Sequence, residues 1–177
     1  MSDWGVPGKI LGALVAAIGG LTFVLVNAGG LPDPWPWLLQ GLSVLVFIWT
    51  LLRLRQPGAL PSGQRPDARS WRTYMVSVGL MLLAFPLGAR LLNMYDFAEL
   101  VVLWIVLVVG LHFFPFAQAF GTPVFRNVAA SLVAAALVGM GLALLGVAWG
   151  PAAGAVAAGF ALLGYSGGLG QRAAQPA

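Results

Sequence analysis

The chain has 177 residues, 60% of them hydrophobic and only 8% charged, with a mean hydropathy of +0.92 and a formal net charge of +4. Soluble domains carry about 25% charged and about 45–50% apolar residues, so this chain cannot cover a globular surface with polar groups. That excludes a soluble enzyme and a nucleic-acid-binding domain. The absence of cysteine removes disulfides, thiolate metal sites and cysteine nucleophiles.

A helix needs about 20 mostly apolar residues to cross a hydrocarbon core roughly 30 Å thick. Six stretches qualify, at 9–28, 37–54, 71–92, 97–117, 126–147 and 151–168. The sixth is the weakest, being short and rich in alanine and glycine. Helices satisfy every backbone polar group inside lipid, so the expected fold is all-α. It is an integral membrane bundle of six transmembrane helices, forming a single domain over 1–177. The first run could instead be a cleaved signal peptide, since Val26-Asn27-Ala28 loosely resembles a small-residue cleavage site. Its apolar stretch of about 17 residues exceeds the usual 7–15, and retention as a helix is favoured.

The second and third spans are joined by RLRQPGALPSGQRPDARSWR, a surface connector punctuated by Pro57, Gly58, Pro61, Gly63 and Pro66. It holds Arg53, Arg55, Arg65, Arg69 and Arg72. Six crossings place these five with Lys9, Arg126 and Arg172 on one side, and only Arg90 on the other. Positive charge concentrates in cytoplasmic loops, so both termini are expected in the cytoplasm. Aromatic residues agree with these boundaries. Trp35, Trp37, Tyr95 and Trp149 fall at the outer interface, and Trp49, Trp71, Tyr74 and Tyr165 at the inner one, as an anchoring belt.

Spans one, five and six carry small residues at every fourth position: Gly8, Gly12, Ala16 and Gly20; Ser131, Ala135, Gly139 and Ala143; Gly150, Gly154 and Ala158. This spacing lets backbones approach closely, so these spans are expected to form the tight side of the bundle. The same faces could serve a homo-oligomer or a membrane-protein partner. The segments starting at Leu14 and Leu132 look alike, but alanine-rich membrane helices resemble each other by composition alone.

Ionisable residues at membrane depth are costly, so each is a candidate functional or structural residue. Arg90 lies near the outer end of span three, and Asp96 and Glu99 open span four. The turn between them is short, which predicts an Arg90–Glu99 pair that neutralises both charges and locks the hairpin. A substrate or ion site at the outer mouth is the competing reading. His112, the only histidine, lies towards the cytoplasmic end of span four. Its plain reading is a neutral ring bonded to backbone on a neighbouring helix; its functional reading is a proton-responsive gate. Pro115, three residues on, and Pro86 in span three are expected to kink their helices and free backbone acceptors. Asn27, Gln40 and Ser43 are candidates for bonds across the first hairpin.

Chemistry is sparse. One histidine cannot supply His-Glu-x-x-His or paired haem ligation, and the aspartates fall in loops or at helix ends. No glycine-rich phosphate loop occurs. The expectation is therefore no enzyme activity, no cofactor, no metal and no nucleic-acid partner, with membrane lipids as the obvious surroundings.

Gly110, His112, Phe113, Pro115 and Ala117, followed by Phe120 and Pro123, spell a G-x-H-F-x-P-x-A pattern. It resembles an uncharacterised family of small bacterial multi-pass membrane proteins, with Phe116 where leucine is more usual and Glu99 matching an upstream acid. The likeness covers about 25 residues, a short share of a multi-span chain. It implies a bacterial cytoplasmic (inner) membrane and brings no activity with it. Two functions remain: a non-enzymatic protein acting through packing with lipid or protein partners, and a small transporter or channel lined by Arg90, Glu99 and His112.

Overall fold

A computed structural model describes residues 5–56 and 67–169, with side chains from residue 10 onward. Arg65, Arg172 and the proline- and glycine-rich part of the connector lie outside the described residues, as do the surroundings of Gly8 and the side chain of Lys9.

Six α-helices make up the described chain: α1 (Gly5–Asn27), α2 (Trp35–Leu54), α3 (Ala68–Met94), α4 (Val101–Ala119), α5 (Pro123–Leu144) and α6 (Gly150–Ser166). Each matches an expected stretch with ends shifted by a few residues. Three helices start with proline in the first turn, Pro36, Pro123 and Pro151, where a missing N–H costs nothing. That explains why α5 begins three residues before the expected Arg126. The Asp67 carboxylate caps α3 by accepting from the Ser70 N–H at 2.7 Å. At its far end α5 closes on Gly146, whose φ of +81° is left-handed. Val147 N–H donates to Leu142 O and Gly146 N–H to Ala143 O, the paired bonds of a Schellman closure.

Five of these helices are long and apolar enough to cross a membrane. The exception is α6, whose 17 residues rise about 25 Å at 1.5 Å each, short of a hydrocarbon core. So six helices form, but only five meet the length expected of a span. The short helix is nevertheless the axis of the molecule. It packs on α1, α2, α4 and α5, and ten of its 17 residues are buried. Side by side the helices run α2, α1, α6, α5, α4, α3, and α3 packs substantially on α4 alone.

The tight side expected of spans one, five and six is present. Gly20 and Gly159 face each other so closely that a Cβ on either would lie 2.6 Å from the other's carbonyl oxygen. Between α5 and α6, a Cβ on Gly139 would meet Gly150 O at 3.0 Å, and one on Gly154 would meet Ala135 O at 2.8 Å. Leu103 of α4, fully buried, presses on both Gly139 and Gly154. Gly12, in the N-terminal part of the α1 stripe, has open space around it. The core continues through Val106, Leu132, Ala136, Ala155 and Leu162.

The polar residues of the first hairpin behave differently from one another. Gln40 Nε2 donates across to Leu25 O at 3.1 Å. Asn27 and Ser43 instead bond within their own helices, to Phe23 O and Gln40 O.

Candidate functional site

Among the described residues, arginine clusters at the end of the bundle where α2 and α4 finish and α3 and α5 begin: Arg53, Arg55, Arg69, Arg72 and Arg126. Near the opposite end stand Asp33, Arg90, Asp96 and Glu99. Arg53 lies over the Trp49 ring, 5.2 Å from its centroid, a cation–π contact at the arginine-rich end. Trp35, Trp37, Tyr95 and Trp149 are exposed near the acidic end, and Trp49 and Trp71 near the arginine-rich end, as an anchoring belt requires. Tyr165 departs from that pattern, since its hydroxyl meets Ser131 Oγ at 3.1 Å between α5 and α6.

The expected Arg90–Glu99 clamp is not formed. Arg90, Asp96 and Glu99 are all exposed, and no ion pair within 4.0 Å joins Arg90 to either acid. The backbone supplies the reason. Asp96 does not start α4; it terminates α3 in a left-handed conformation, φ +60°. Phe97 N–H returns to Leu92 O at 2.8 Å across it, the same closure that glycine makes elsewhere. A 3-10 turn, Ala98–Leu100, follows before α4 begins at Val101. Glu99 thus rides on a separate turn rather than opposite Arg90 on a regular helix.

His112 is partly buried in α4, and its Nδ1 lies 3.1 Å from Val109 O. A carbonyl only accepts, so Nδ1 carries the proton and a neutral ring keeps Nε2 as an acceptor. The partner is the histidine's own helix, not a neighbour as expected. Phe113 and Phe116 pack on the ring, both with centroids 4.6 Å away. These belong to a knot in which Trp71 stacks on Tyr74, Tyr74 meets Phe116, and Phe125 touches Phe113, Phe116 and Phe120. Gly110 sits where a Cβ would press 3.0 Å from Leu132 Cβ of α5. The G-x-H-F-x-P pattern is therefore a packing corner that joins α3, α4 and α5.

Three bonds stitch α3 to α4, and none was visible in the sequence. Ser70 Oγ donates to Ala119 O at 2.6 Å, Ser77 Oγ to His112 O at 3.2 Å, and Trp104 Nε1 to Ala84 O at 2.9 Å. Residues 70, 77 and 84 recur every seven positions, one stripe of α3 against a partner running the other way. Ala84 O and His112 O lie two and three residues before Pro86 and Pro115, whereas the carbonyls the prolines leave without an intrahelical donor are those of Leu82 and Leu111. Both helices run on through their prolines. Gly88 makes room for the Trp104 indole, which a Cβ there would strike.

Beside this seam lies an open groove of about 540 Å³. Val76, Leu80, Met81, Trp104, Val108 and Leu111 form its apolar walls; His112, Ser77 and Thr73 also line it, and Arg72 stands at its arginine-rich end. Of the sequence candidates only His112 and Pro115 reach the groove; Arg90, Asp96 and Glu99 do not. Elsewhere, Thr50 is fully buried beside Gly167, and its hydroxyl has no hydrogen-bond partner. Among the described residues no group of three or more His, Cys, Asp or Glu is placed to hold a metal ion.

No protein family model, curated protein or solved structure matches the chain. Its geometry alone describes it as a multi-pass, mostly helical protein whose apolar helices suit packing in a membrane.

Proposed function

We propose that the chain is a non-enzymatic integral protein of a bacterial cytoplasmic membrane, with both termini cytoplasmic, that acts through contact with lipid or protein partners. The observation carrying this reading is the uneven bundle. Its interior is filled by α6 and by Leu103 seated on glycines, while α2 and α3 turn exposed leucine, valine and tryptophan outward. Exposed apolar surface on this scale needs lipid or a partner to cover it. The orientation rests on the arginine asymmetry between the two ends. The absence of enzyme activity rests on the sequence, which offers one histidine and no cysteine. A transport pathway through Arg90, Glu99 and His112 has less support, because neither Arg90 nor Glu99 lines the groove that His112 lines.

Native mass spectrometry of the protein extracted from its own membrane tests the proposal. A retained lipid or a stoichiometric second protein is expected. A bare monomer or homodimer that conducts a solute in vesicles, and loses conduction on Glu99→Gln, would overturn it in favour of a transporter.

A further inference from the structure

The groove between α3 and α4 combines three properties. Its walls are apolar and open to the outside of the bundle, with Val76, Leu80 and Leu111 each half or more exposed. From Arg72 to Ala84 it follows twelve residues of helix, about 18 Å, long enough for an extended acyl chain. Its polar groups gather towards one end, where Arg72 is exposed and Thr73, Ser77 and His112 follow within two helical turns or across the seam. Arg69 precedes Arg72 by three residues on the same helix face. Trp71, exposed and stacked on Tyr74, places this end at the depth where amphipathic rings meet headgroups.

A wholly apolar protein segment would fill the walls but leave the guanidinium without an acidic partner. A phospholipid satisfies both ends: its acyl chain fills the slot and its phosphate meets the arginine. Basic pockets between membrane helices on the positively charged side recognise anionic headgroups in this way. We propose that the α3–α4 groove is a binding site for an anionic phospholipid, with Arg72 on the headgroup and Trp104 against the acyl chain. This rests on the membrane reading above and names the lipid class that the reading leaves open. His112, whose Nδ1 is turned to Val109 O, keeps Nε2 for a headgroup or glycerol oxygen.

Trp104 reports on the groove directly. Its fluorescence, obtained as wild type minus Trp104→Phe, is followed in vesicles containing acyl-brominated phosphatidylglycerol or acyl-brominated phosphatidylcholine. The anionic lipid should half-quench Trp104 at a mole fraction about fivefold lower than the zwitterionic one, the preference expected of one arginine near the surface. Arg72→Gln should erase that preference, whereas Arg55→Gln, at the end of α2, should keep it. If Arg72→Gln proves unstable, high salt applied to the wild type should erase it equally, because screening weakens an exposed ion contact. Identical curves for the two lipids in the wild type, or a preference that survives Arg72→Gln, would overturn the site. Quenching by neither lipid would overturn the membrane reading itself, so the two failures are distinguishable.

Discussion

The two flanks of the bundle are held by opposite means. Around α6, glycines let backbones approach until carbonyl oxygens nearly touch the facing helix, and cohesion comes from dispersion over continuous contact. At the other flank α3 meets α4 through large side chains and three hydrogen bonds to carbonyls, and a groove remains between them. Close contact admits neither water nor lipid and has one geometry. A seam of separate bonds beside a gap can open by small steps and accept a guest. The molecule is thus a dense half bearing the fold and an arm bearing an open groove.

Substitutions at glycines should separate the two flanks most strongly. Gly159→Leu would drive a side chain into the backbone of α1, where a Cβ alone would already lie 2.6 Å from Gly20 O. Overpacking of this kind costs about 1–3 kcal/mol or more, so loss of the folded band in detergent thermal melts is expected. Gly79→Ala in α3, with nothing near its Cβ, should leave the melting temperature unchanged or raise it. Equal damage from both would remove the distinction between flanks.

An intermediate effect is expected at Gly88. Gly88→Ala collides with the Trp104 indole and should break its bond to Ala84 O, yet α3 has space to move away. A shift in Trp104 emission with a smaller loss of stability than Gly159→Leu is the expected outcome. Ser77→Ala removes one stitch at about 0.6 kcal/mol, the usual worth of such interhelical bonds.

The smallest effects lie at the caps of α3. Asp96→Gly should stabilise the α3 end slightly, because glycine adopts φ +60° without steric cost. The backbone N–H of Ser70 holds the Asp67 carboxyl below the usual carboxylate range. Its cap is therefore complete above the ordinary carboxylate pKa and is lost as pH falls through the lowered value. Protection of the Ser70 amide, its exchange rate taken relative to the intrinsic rate at each pH, should fall only in that acidic window, and Asp67→Ala should make that protection low and independent of pH there.

Much of the fold was legible in the sequence because apolar run length and small-residue spacing act locally. The six helices and the tight contact of α1, α5 and α6 follow from those two signals. The central place of α6 was not legible, since a short helix of small residues looks like a weak span until neighbours are seen to converge on it. The Arg90–Glu99 pair does not form because an acid at Asp96 looks like a helix start in sequence, whereas its left-handed turn ends α3 and displaces Glu99. The seam residues Ser70, Ser77 and Ala84 form a seven-residue stripe, but serine and alanine at that spacing carry no signal until the carbonyls of α4 are opposite them. The ring of His112 is what stands out in the sequence. Its carbonyl, which accepts from Ser77, and its position on the groove wall emerged only from the packing of α3.

Distance measurements between spin labels test the two-flank account most directly, and the absence of cysteine makes paired labelling simple. One pair, Gly12→Cys with Ala157→Cys, reports α1 against α6; the other, Gly79→Cys with Ala130→Cys, reports α3 against α5. The account predicts a narrow distribution for the first pair in every medium, and for the second a distribution that broadens when lipid is stripped and narrows when anionic phospholipid returns. Equal widths for the two pairs, unchanged by lipid, would contradict it.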